Sequence, residues 1–178
     1  MLIFFLHLFF PYFYTIRLAA KNKVSGKNIL VLYGDNPFVK AVSLKKLMKM
    51  HHDKSANISI FTTTVPNFAG INKNFEQFGR IIRGSNKKIV KIVEYKDASV
   101  GQKKIKELNS GIYMFNSAWL WKHAEKIKNN NMQAEYYLTD IVEVAIRNGE
   151  PVYSIPIASH EVLGINNRED LKLAEKRF

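Results

Sequence analysis

The residue best placed for chemistry in this sequence is Asp35, which follows an apolar run from Ile29 to Tyr33 and a single glycine. A short continuous run of this kind predicts a strand buried on both faces of a sheet. Ligands of open α/β sheets collect beyond the carboxyl ends of the strands, and Gly34 would let the main chain approach a ligand closely. Magnesium takes one or two protein oxygens, with substrate phosphates and water completing its shell. Asp35 is therefore a candidate magnesium ligand, and an ordinary turn after a strand is the competing interpretation.

Three further polar residues stand at predicted element boundaries. Glu94 closes a predicted strand, Asn109 precedes another, and Asn166 follows a glycine ahead of a predicted helix. Carboxylate and amide groups can fix sugar hydroxyls and acetamido groups by directional hydrogen bonds. Taken one at a time, Glu94 and Asn109 are more simply explained as turn polarity, and the Asn166 segment as a glycine turn with a helix cap.

Other common reaction chemistries have no support in the sequence. It contains no GxSxG elbow, no Walker-type phosphate loop and no GxGxxG fingerprint. The histidines at positions 51, 52, 123 and 160 lack the spacing of a metal-protease site. The absence of cysteine excludes a disulfide framework and a thiolate metal site. We expect a reducing, cytoplasmic location.

The length and composition indicate one globular domain or a large part of one. The chain has 178 residues, of which 47% are hydrophobic, and it carries a formal net charge of +12 from 27 basic and 15 acidic residues. This charge raises the question of a polyanionic partner. The lysines are scattered in pairs without a long basic block or interleaved aromatic residues, so we expect no nucleic-acid partner but some attraction for phosphorylated small molecules.

The candidate residues are connected by an alternation of predicted strands and helices, which is typical of an α/β sandwich. The predicted single strands are 29–33, in a parallel context, 58–63, 110–115 and 151–157. Residues 79–83 and 89–94 predict a hairpin around a Gly-Ser-Asn turn. The predicted helices are 43–52 capped by Ser43, one capped by Asn116, 135–148 followed by Gly149, and 168–178 capped by Asn167.

The first sixteen residues are almost wholly apolar and differ in composition from everything after Arg17. They are shorter than the roughly 20 residues of a spanning helix and are interrupted by His7 and Pro11. They also lack the basic start and clean cleavage site of a signal peptide. We favour an aberrant start of the gene product, with a buried strand or helix and a membrane-directed segment as the alternatives.

Several segments, taken in order, resemble one family. They are Val31 to Pro37, Phe78 to Ile81, Ile92 to Ala98, Asn129 to Asp140 and Gly164 to Arg168. Together they resemble the bacterial N-acetylglucosamine-1-phosphate uridyltransferases, from about Asn28 to the last residue. The Glu-Tyr-Tyr-Leu-Thr-Asp motif that ends at Asp140, and the Val-Glu-Tyr-Lys-Asp-Ala motif around Glu94, are more specific than a general nucleotidyltransferase pattern.

The resemblance implies a Rossmann-like, GT-A-like nucleotidyltransferase domain, a three-layer sandwich with a mixed sheet. It implies the transfer of a uridylyl group from UTP to N-acetylglucosamine 1-phosphate with release of pyrophosphate, on the route to peptidoglycan and lipopolysaccharide. Magnesium is the implied cofactor, held by Asp35 and Asn166. By match to the family motifs, Tyr33 and Gly34 would line the nucleotide-sugar site together with Asp35 and Asn166. Gly79, Glu94 and Asn109 would hold the N-acetylglucosamine group.

The beginning of the chain departs from the family pattern. Residues 1–27 stand where the family has a Gly-rich loop and a nearby lysine that hold the triphosphate and the uracil, and they lack the glycines needed to cradle phosphate. We therefore expect residues 1–27 to form an atypical apolar segment and residues 28–178 to be the C-terminal portion of the uridyltransferase domain. The base specificity cannot be read from this sequence, and no acetyl-CoA chemistry is expected.

Three hypotheses follow from this departure. The first is a partial uridyltransferase with impaired activity, which could form a homo-oligomer. The second is a non-catalytic module that binds a sugar nucleotide or complements a separate N-terminal piece. The third is a membrane-tethered protein directed by residues 1–16.

Overall fold

The computed structural model of the chain describes residues 2–6, 26–127, 136–165 and 168–175. Within these ranges, one mixed sheet of seven strands forms the centre of the fold. The strands are β1 Leu2–Leu6, β2 Asn28–Tyr33, β3 Ile58–Thr64, β4 Arg80–Arg83, β5 Ile89–Val93, β6 Glu107–Asn116 and β7 Val152–Pro156. The strand order is β1-β2-β6-β3-β7, with β4 paired to β6 and β5 paired to β4.

Strand direction determines which loops meet at one edge of the sheet. β1 runs parallel to β2, β3 runs parallel to β7, and β6 is antiparallel to both β2 and β3. The carboxyl ends of β1, β2, β3 and β7 therefore lie at the same edge, and β6 begins there. We predicted that the strand 29–33, which is β2, has parallel neighbours. This is correct for its neighbour β1 and wrong for its neighbour β6, which runs in the opposite direction.

Helices cover both faces of the sheet. They are α1 Ala41–Asp53, α2 Val100–Lys103, α3 Ser117–His123, α4 Asp140–Arg147 and α5 Arg168–Glu175, with 3-10 turns at Gly70–Gln77, Tyr95–Asp97, Ala124–Lys126 and Ser159–Val162. Alternate residues of β2 enter two separate cores. Ile29 and Val31 pack in the first core with α3 and α4. Leu30 and Leu32 pack in the second core with α1. This alternation follows from the two-residue period of a strand. The α/β sandwich with a mixed sheet is thereby confirmed.

The start of α1 corrects the sequence-based prediction of Ser43 as a helix cap. The helix begins two residues earlier, and Ser43 lies buried within its first turn. The residue at the cap position is Lys40, whose main-chain N–H donates to Oε2 of Glu161 over 3.0 Å. A carboxylate from a distant turn therefore lies at the positive end of the helix, while the side chain at the cap position itself forms no capping hydrogen bond.

The predicted helix 135–148 is shorter than expected. Residues 136–139 are not helical, and α4 begins at Asp140; residue 135 lies outside the described ranges. Tyr137 and Leu138 are instead buried in the turn that leads into the helix. The predicted end is confirmed: Gly149 has a φ of +72°, and the N–H groups of Gly149 and Glu150 donate to Ile146 and Ala145, respectively. This is the Schellman pattern of helix termination.

The remaining local predictions are largely confirmed. β4 and β5 form the antiparallel hairpin, and Oδ1 of Asn116 accepts the N–H of Trp119 at the start of α3. The last helix is present over Arg168–Glu175, although its predicted cap, Asn167, lies outside the described residues. Leu2–Leu6 form a strand paired with β2, in agreement with the strand alternative for that segment. No helix in the described ranges is long and apolar enough to cross a membrane.

We predict that Gly149→Ala lowers the free energy of unfolding by about 1 kcal/mol, because the positive φ that glycine adopts freely is sterically unfavourable for alanine. No atom lies within 4 Å of the added methyl group, so the effect would come from the backbone alone. Urea unfolding measures it. Gly101→Ala is the matched control, because Gly101 lies in α2 with φ outside the left-handed region, and it should be neutral or slightly stabilising. Equal effects at the two positions would contradict this account.

Candidate functional site

Five of the predicted site residues lie at the edge where β2 ends and β6 begins. They are Tyr33, Asp35, Gly79, Glu94 and Asn109. The register of the sheet explains why they meet: Arg80, the first residue of β4, pairs with Leu108 of β6 on one side and with Val93 of β5 on the other. The neighbouring residues Gly79, Asn109 and Glu94 are therefore brought together from three segments.

Gly79, Glu94 and Asn109 form one side of the site. The N–H of Asn109 donates to the carbonyl of Gly79 over 2.9 Å. A methyl group at Gly79 would lie 3.3 Å from Oε2 and 3.4 Å from Oε1 of Glu94. The Glu94 carboxylate therefore packs closely against the main chain of the buried Gly79, and a side chain at this position would press on it. The three residues predicted to hold a sugar are therefore neighbours, and Glu94 also lines a cleft.

Glu94 is held in place by a hydrogen bond from Thr139, the residue that precedes α4. Oγ1 of Thr139 donates to Oε1 of Glu94 over 3.0 Å. Burial raises the pKa of Glu94, the Thr139 hydrogen bond opposes that shift, and the negative charges of Asp140 and Asp97 add to it. A carboxyl group that is fixed and partly withdrawn from water is suited to directional hydrogen bonds with neutral hydroxyl groups.

Tyr33 lies near both Glu94 and Asp35. Burial raises the pKa of Tyr33 well above its ordinary value, and the charges of Glu94 and Asp35 raise it further. The Tyr33 hydroxyl therefore stays neutral, and it lies within electrostatic range of both carboxylates. The buried Tyr113 of β6 is subject to the same effects, chiefly burial and then Tyr33 and Glu94.

Asp35 lies beside the loop that carries the second predicted metal ligand. Its main-chain carbonyl accepts the N–H of Ile165 over 2.9 Å, so the two loops are in contact. Asn166 itself lies outside the described residues, and its pairing with Asp35 stays a prediction. Within the described ranges, no group of three or more His, Cys, Asp or Glu side chains could hold a metal ion. A magnesium ion at Asp35 would need other oxygen ligands, such as an amide or substrate phosphates.

A cleft of about 290 Å³ opens beside Glu94, between β5 and α4. Its walls include Lys91, Glu94, Asp97, Thr139, Asp140 and Glu143. We assigned no role to Thr139 and Asp140 from the sequence, although both end the specific Glu-Tyr-Tyr-Leu-Thr-Asp motif. The specificity of that motif was the signal that could have identified them.

Gly111 is another residue of this site that the sequence analysis missed. It has a φ of +77°, and a methyl group built on it would lie 1.8 Å from Cε2 of Tyr33. The Tyr33 ring therefore packs directly on the main chain of β6. A glycine in the interior of a predicted strand was the available signal, because it often marks a close approach to the backbone.

Comparison with known proteins identifies the family of this fold and site. A family model described as "Nucleotidyl transferase" matches residues 12–160, which is most of the chain. The chain belongs to the nucleotidyl transferase family. The matched range includes Gly79, Glu94 and Asn109, and it begins before residue 28, where we expected the domain to start. The boundary between residues 27 and 28 stays a prediction.

Curated relatives carry the name bifunctional protein GlmU. The protein of Thermosipho africanus is 44% identical over 151 residues, which is 85% of this chain and 31% of the relative. That of Caldicellulosiruptor saccharolyticus is 39% identical over 164 residues, 90% of this chain and 34% of the relative. The family resemblance inferred from the sequence is confirmed. The chain spans about a third of the length of these relatives.

A solved structure shows a similar fold. It is the 2.76 Å crystal structure of a protein provisionally named glucose-1-phosphate thymidylyltransferase, from Bacillus anthracis, in complex with a sucrose. The TM-score is 0.64, the identity is 17%, and the match covers 92% of this chain and 59% of that one. At this identity the likeness concerns the fold alone, and it confirms the predicted nucleotidyltransferase architecture.

We predict that Gly111→Ala destabilises the chain by about 3 kcal/mol, because it combines a strained positive φ with a clash against the Tyr33 ring. Thermal or urea unfolding measures the loss. In the double variant Gly111→Ala/Tyr33→Ala the clash is removed, so the added cost of Gly111→Ala should fall to about 1 kcal/mol, that of the backbone alone. Additive effects of the two substitutions would contradict a direct contact.

The raised pKa of Asp140 predicts that the stability of the chain depends on pH. Burial raises the pKa of Asp140 from 3.8 to about 6, Glu143 adds to the shift, and Lys91 opposes it. Between those two values the folded state holds a proton that the unfolded state has lost, so the free energy of unfolding falls as pH rises. Relative to the wild type, Asp140→Asn should therefore gain stability between pH 4 and 6, by on the order of 1 kcal/mol after solvent screening.

Urea unfolding at several pH values tests this prediction. Asp53→Asn is the matched control, because a hydrogen bond from Lys49 lowers the pKa of Asp53 and its contribution has the opposite sign. The difference between wild type and Asp53→Asn should shrink as pH falls. An identical pH profile for wild type and Asp140→Asn would contradict the raised pKa.

Proposed function

We propose that this chain provides the sugar-binding side of a nucleotidyltransferase that joins UTP and N-acetylglucosamine 1-phosphate into UDP-N-acetylglucosamine and releases pyrophosphate. The observation that carries the proposal is that Gly79, Glu94 and Asn109 lie next to one another beside a cleft, in a member of the nucleotidyl transferase family. The name of the curated relatives, bifunctional protein GlmU, supports the same activity.

The chemistry of the pocket suits an N-acetylated sugar. The Glu94 carboxyl group can accept hydrogen bonds from sugar hydroxyls, and the Asn109 amide can both donate and accept. The cleft of about 290 Å³ beside Glu94 offers room for a sugar ring next to this carboxyl group. Tyr33, held against Gly111, would form the floor between the sugar and the phosphates.

The proposed reaction needs no covalent intermediate with the protein. A phosphate oxygen of the sugar 1-phosphate attacks the α-phosphorus of UTP. As the new P–O bond forms, the bond from the α-phosphorus to the bridging oxygen breaks, and pyrophosphate leaves with its electrons. The contribution of this chain is to hold the sugar phosphate in line for that attack, which is a positioning effect. The net charge of +12 favours the approach of such anionic substrates.

Asp35 and Asn166 are the proposed ligands of one magnesium ion. Asp35 fits this role because it is a carboxylate just beyond the end of β2, beside the loop that precedes Asn166. When bound, the metal would neutralise charge on the phosphate oxygens. A cytoplasmic location is part of the proposal, because the nucleoside triphosphate substrate is found there.

Titration calorimetry with UDP-N-acetylglucosamine tests both halves of the proposal. We expect Glu94→Gln to weaken binding about tenfold whether or not magnesium is present, because it disturbs only the sugar contacts. Asp35→Asn should instead abolish the strengthening that magnesium causes, and leave binding without magnesium unchanged. Asp53→Asn, a carboxylate at the far end of α1, is the control and should bind like wild type.

The outcomes separate the hypotheses. A folded wild-type chain that does not bind the sugar nucleotide contradicts the proposal. Release of pyrophosphate from UTP, measured with N-acetylglucosamine 1-phosphate and magnesium, distinguishes an active enzyme from a module that only binds. Binding without pyrophosphate release would favour the non-catalytic alternative.

A further inference from the structure

Arg80 is a buried cation whose donors all point to the main chain. Its relative exposure is 0%, although it is the first residue of a short hairpin strand. Nη2 donates to the carbonyl of Glu76 over 2.9 Å, Nη1 donates to the carbonyl of Phe78, and Nε and Nη2 donate to the carbonyl of Lys103 over 3.3 and 3.2 Å. Among the described residues, every recorded acceptor of Arg80 is therefore a main-chain carbonyl oxygen.

Aromatic rings enclose the same guanidinium group. Its Cζ lies 4.6 Å from the centroid of the Phe68 ring and 5.1 Å from that of Tyr95. Nζ of Lys106 lies 4.2 Å from the Phe68 centroid, and Nζ of Lys103 lies 4.7 Å from the Tyr95 centroid. We call this group of three cations and two rings the Arg80 stack. Cation–π attraction of this kind strengthens when the cation is removed from water.

The Arg80 stack joins the segments that contain Gly79, Glu94 and Asn109. Phe78 precedes Gly79, Tyr95 follows Glu94, and Lys103 ends the helix that leads into β6 and Asn109. We infer that Arg80 is a positioning residue for the sugar side of the site: it aligns these three segments, two through main-chain carbonyls and one through the Tyr95 ring, and does not touch the ligand. This inference rests on the proposed function for its ligand and on the contacts above for its mechanism.

The choice of arginine supports a geometric role. A buried charge is costly, and a well-packed apolar side chain of similar volume is often at least as stabilising. Arginine alone carries five N–H donors in a rigid planar fork, so one side chain can reach carbonyls of two separate segments and still lie flat against aromatic rings. Lysine keeps the charge and loses that geometry.

The test compares Arg80→Lys with Arg83→Lys. Arg83 lies on the same strand, is exposed, and pairs with Glu107 at 2.6 Å, so it controls for charge and for the hairpin. Hydrogen exchange of the Asn109 amide, which donates to the carbonyl of Gly79, reports on the alignment without any ligand. We expect this exchange to be about tenfold faster in Arg80→Lys and unchanged in Arg83→Lys.

Two further readouts separate positioning from general stability. Exchange at Tyr113, further along β6, should change by less than about twofold in Arg80→Lys, because the β2–β6 and β3–β6 pairings do not involve Arg80. The Kd for UDP-N-acetylglucosamine should rise about tenfold. Gly149→Ala, which we expect to be destabilising at a remote helix end, should leave both the Asn109 exchange and the Kd unchanged.

Each outcome either supports or overturns the inference. Unchanged Asn109 exchange in a folded Arg80→Lys chain overturns it. If that variant does not fold, Phe68→Leu removes one ring and keeps Arg80; faster Asn109 exchange then supports the inference, and no change overturns it. A wild-type chain that binds no sugar nucleotide, but whose Asn109 exchange still responds to Arg80→Lys, contradicts the proposed function and leaves the positioning role supported.

Discussion

The pairing of β6 with three other strands is the constraint on which the rest of this structure depends. β6 lies antiparallel between β2 and β3, and its first residues also pair with β4. It is buried along nearly all of its length, and its alternate residues enter the two cores on opposite faces of the sheet. Because β2 ends, and β4 begins, near the start of β6, and β5 ends beside the start of β4, the loops after β2 and β5 and the segment before β4 lie at one edge. The site is a consequence of that arrangement.

The site is built from groups that are neutral or only partly solvated. The pKa of Tyr33, Tyr113, Glu94 and Asp140 is raised in each case, with burial as the largest cause. A cluster of several carboxyl groups in this environment disfavours charge, so the pocket offers hydrogen-bonding capacity with reduced repulsion toward an anionic ligand.

The contacts at the start of α1 and at the end of α4 differ in how far apart their partners lie in the sequence. At the start of α1, the main-chain N–H of Lys40 donates to Glu161, a residue 121 positions away in the sequence, and Ser43 is not the cap residue. The C-terminus of α4, in contrast, is closed by a local glycine. The glycine pattern could be predicted because both of its hydrogen bonds lie within six residues. The glutamate could not, because its position depends on where the turn after β7 lies against α1.

By itself, the sequence determined the elements and the family. Apolar runs, turn residues and caps indicated the strands, the hairpin and most helix ends, since these depend on interactions between residues close together in the chain. The ordered motifs identified the residue types of the site. The tertiary structure alone shows that Gly79, Glu94 and Asn109 are neighbours, that Tyr33 packs on Gly111, and that Arg80 joins three segments. Those facts depend on strand register, which brings together residues that no local pattern connects.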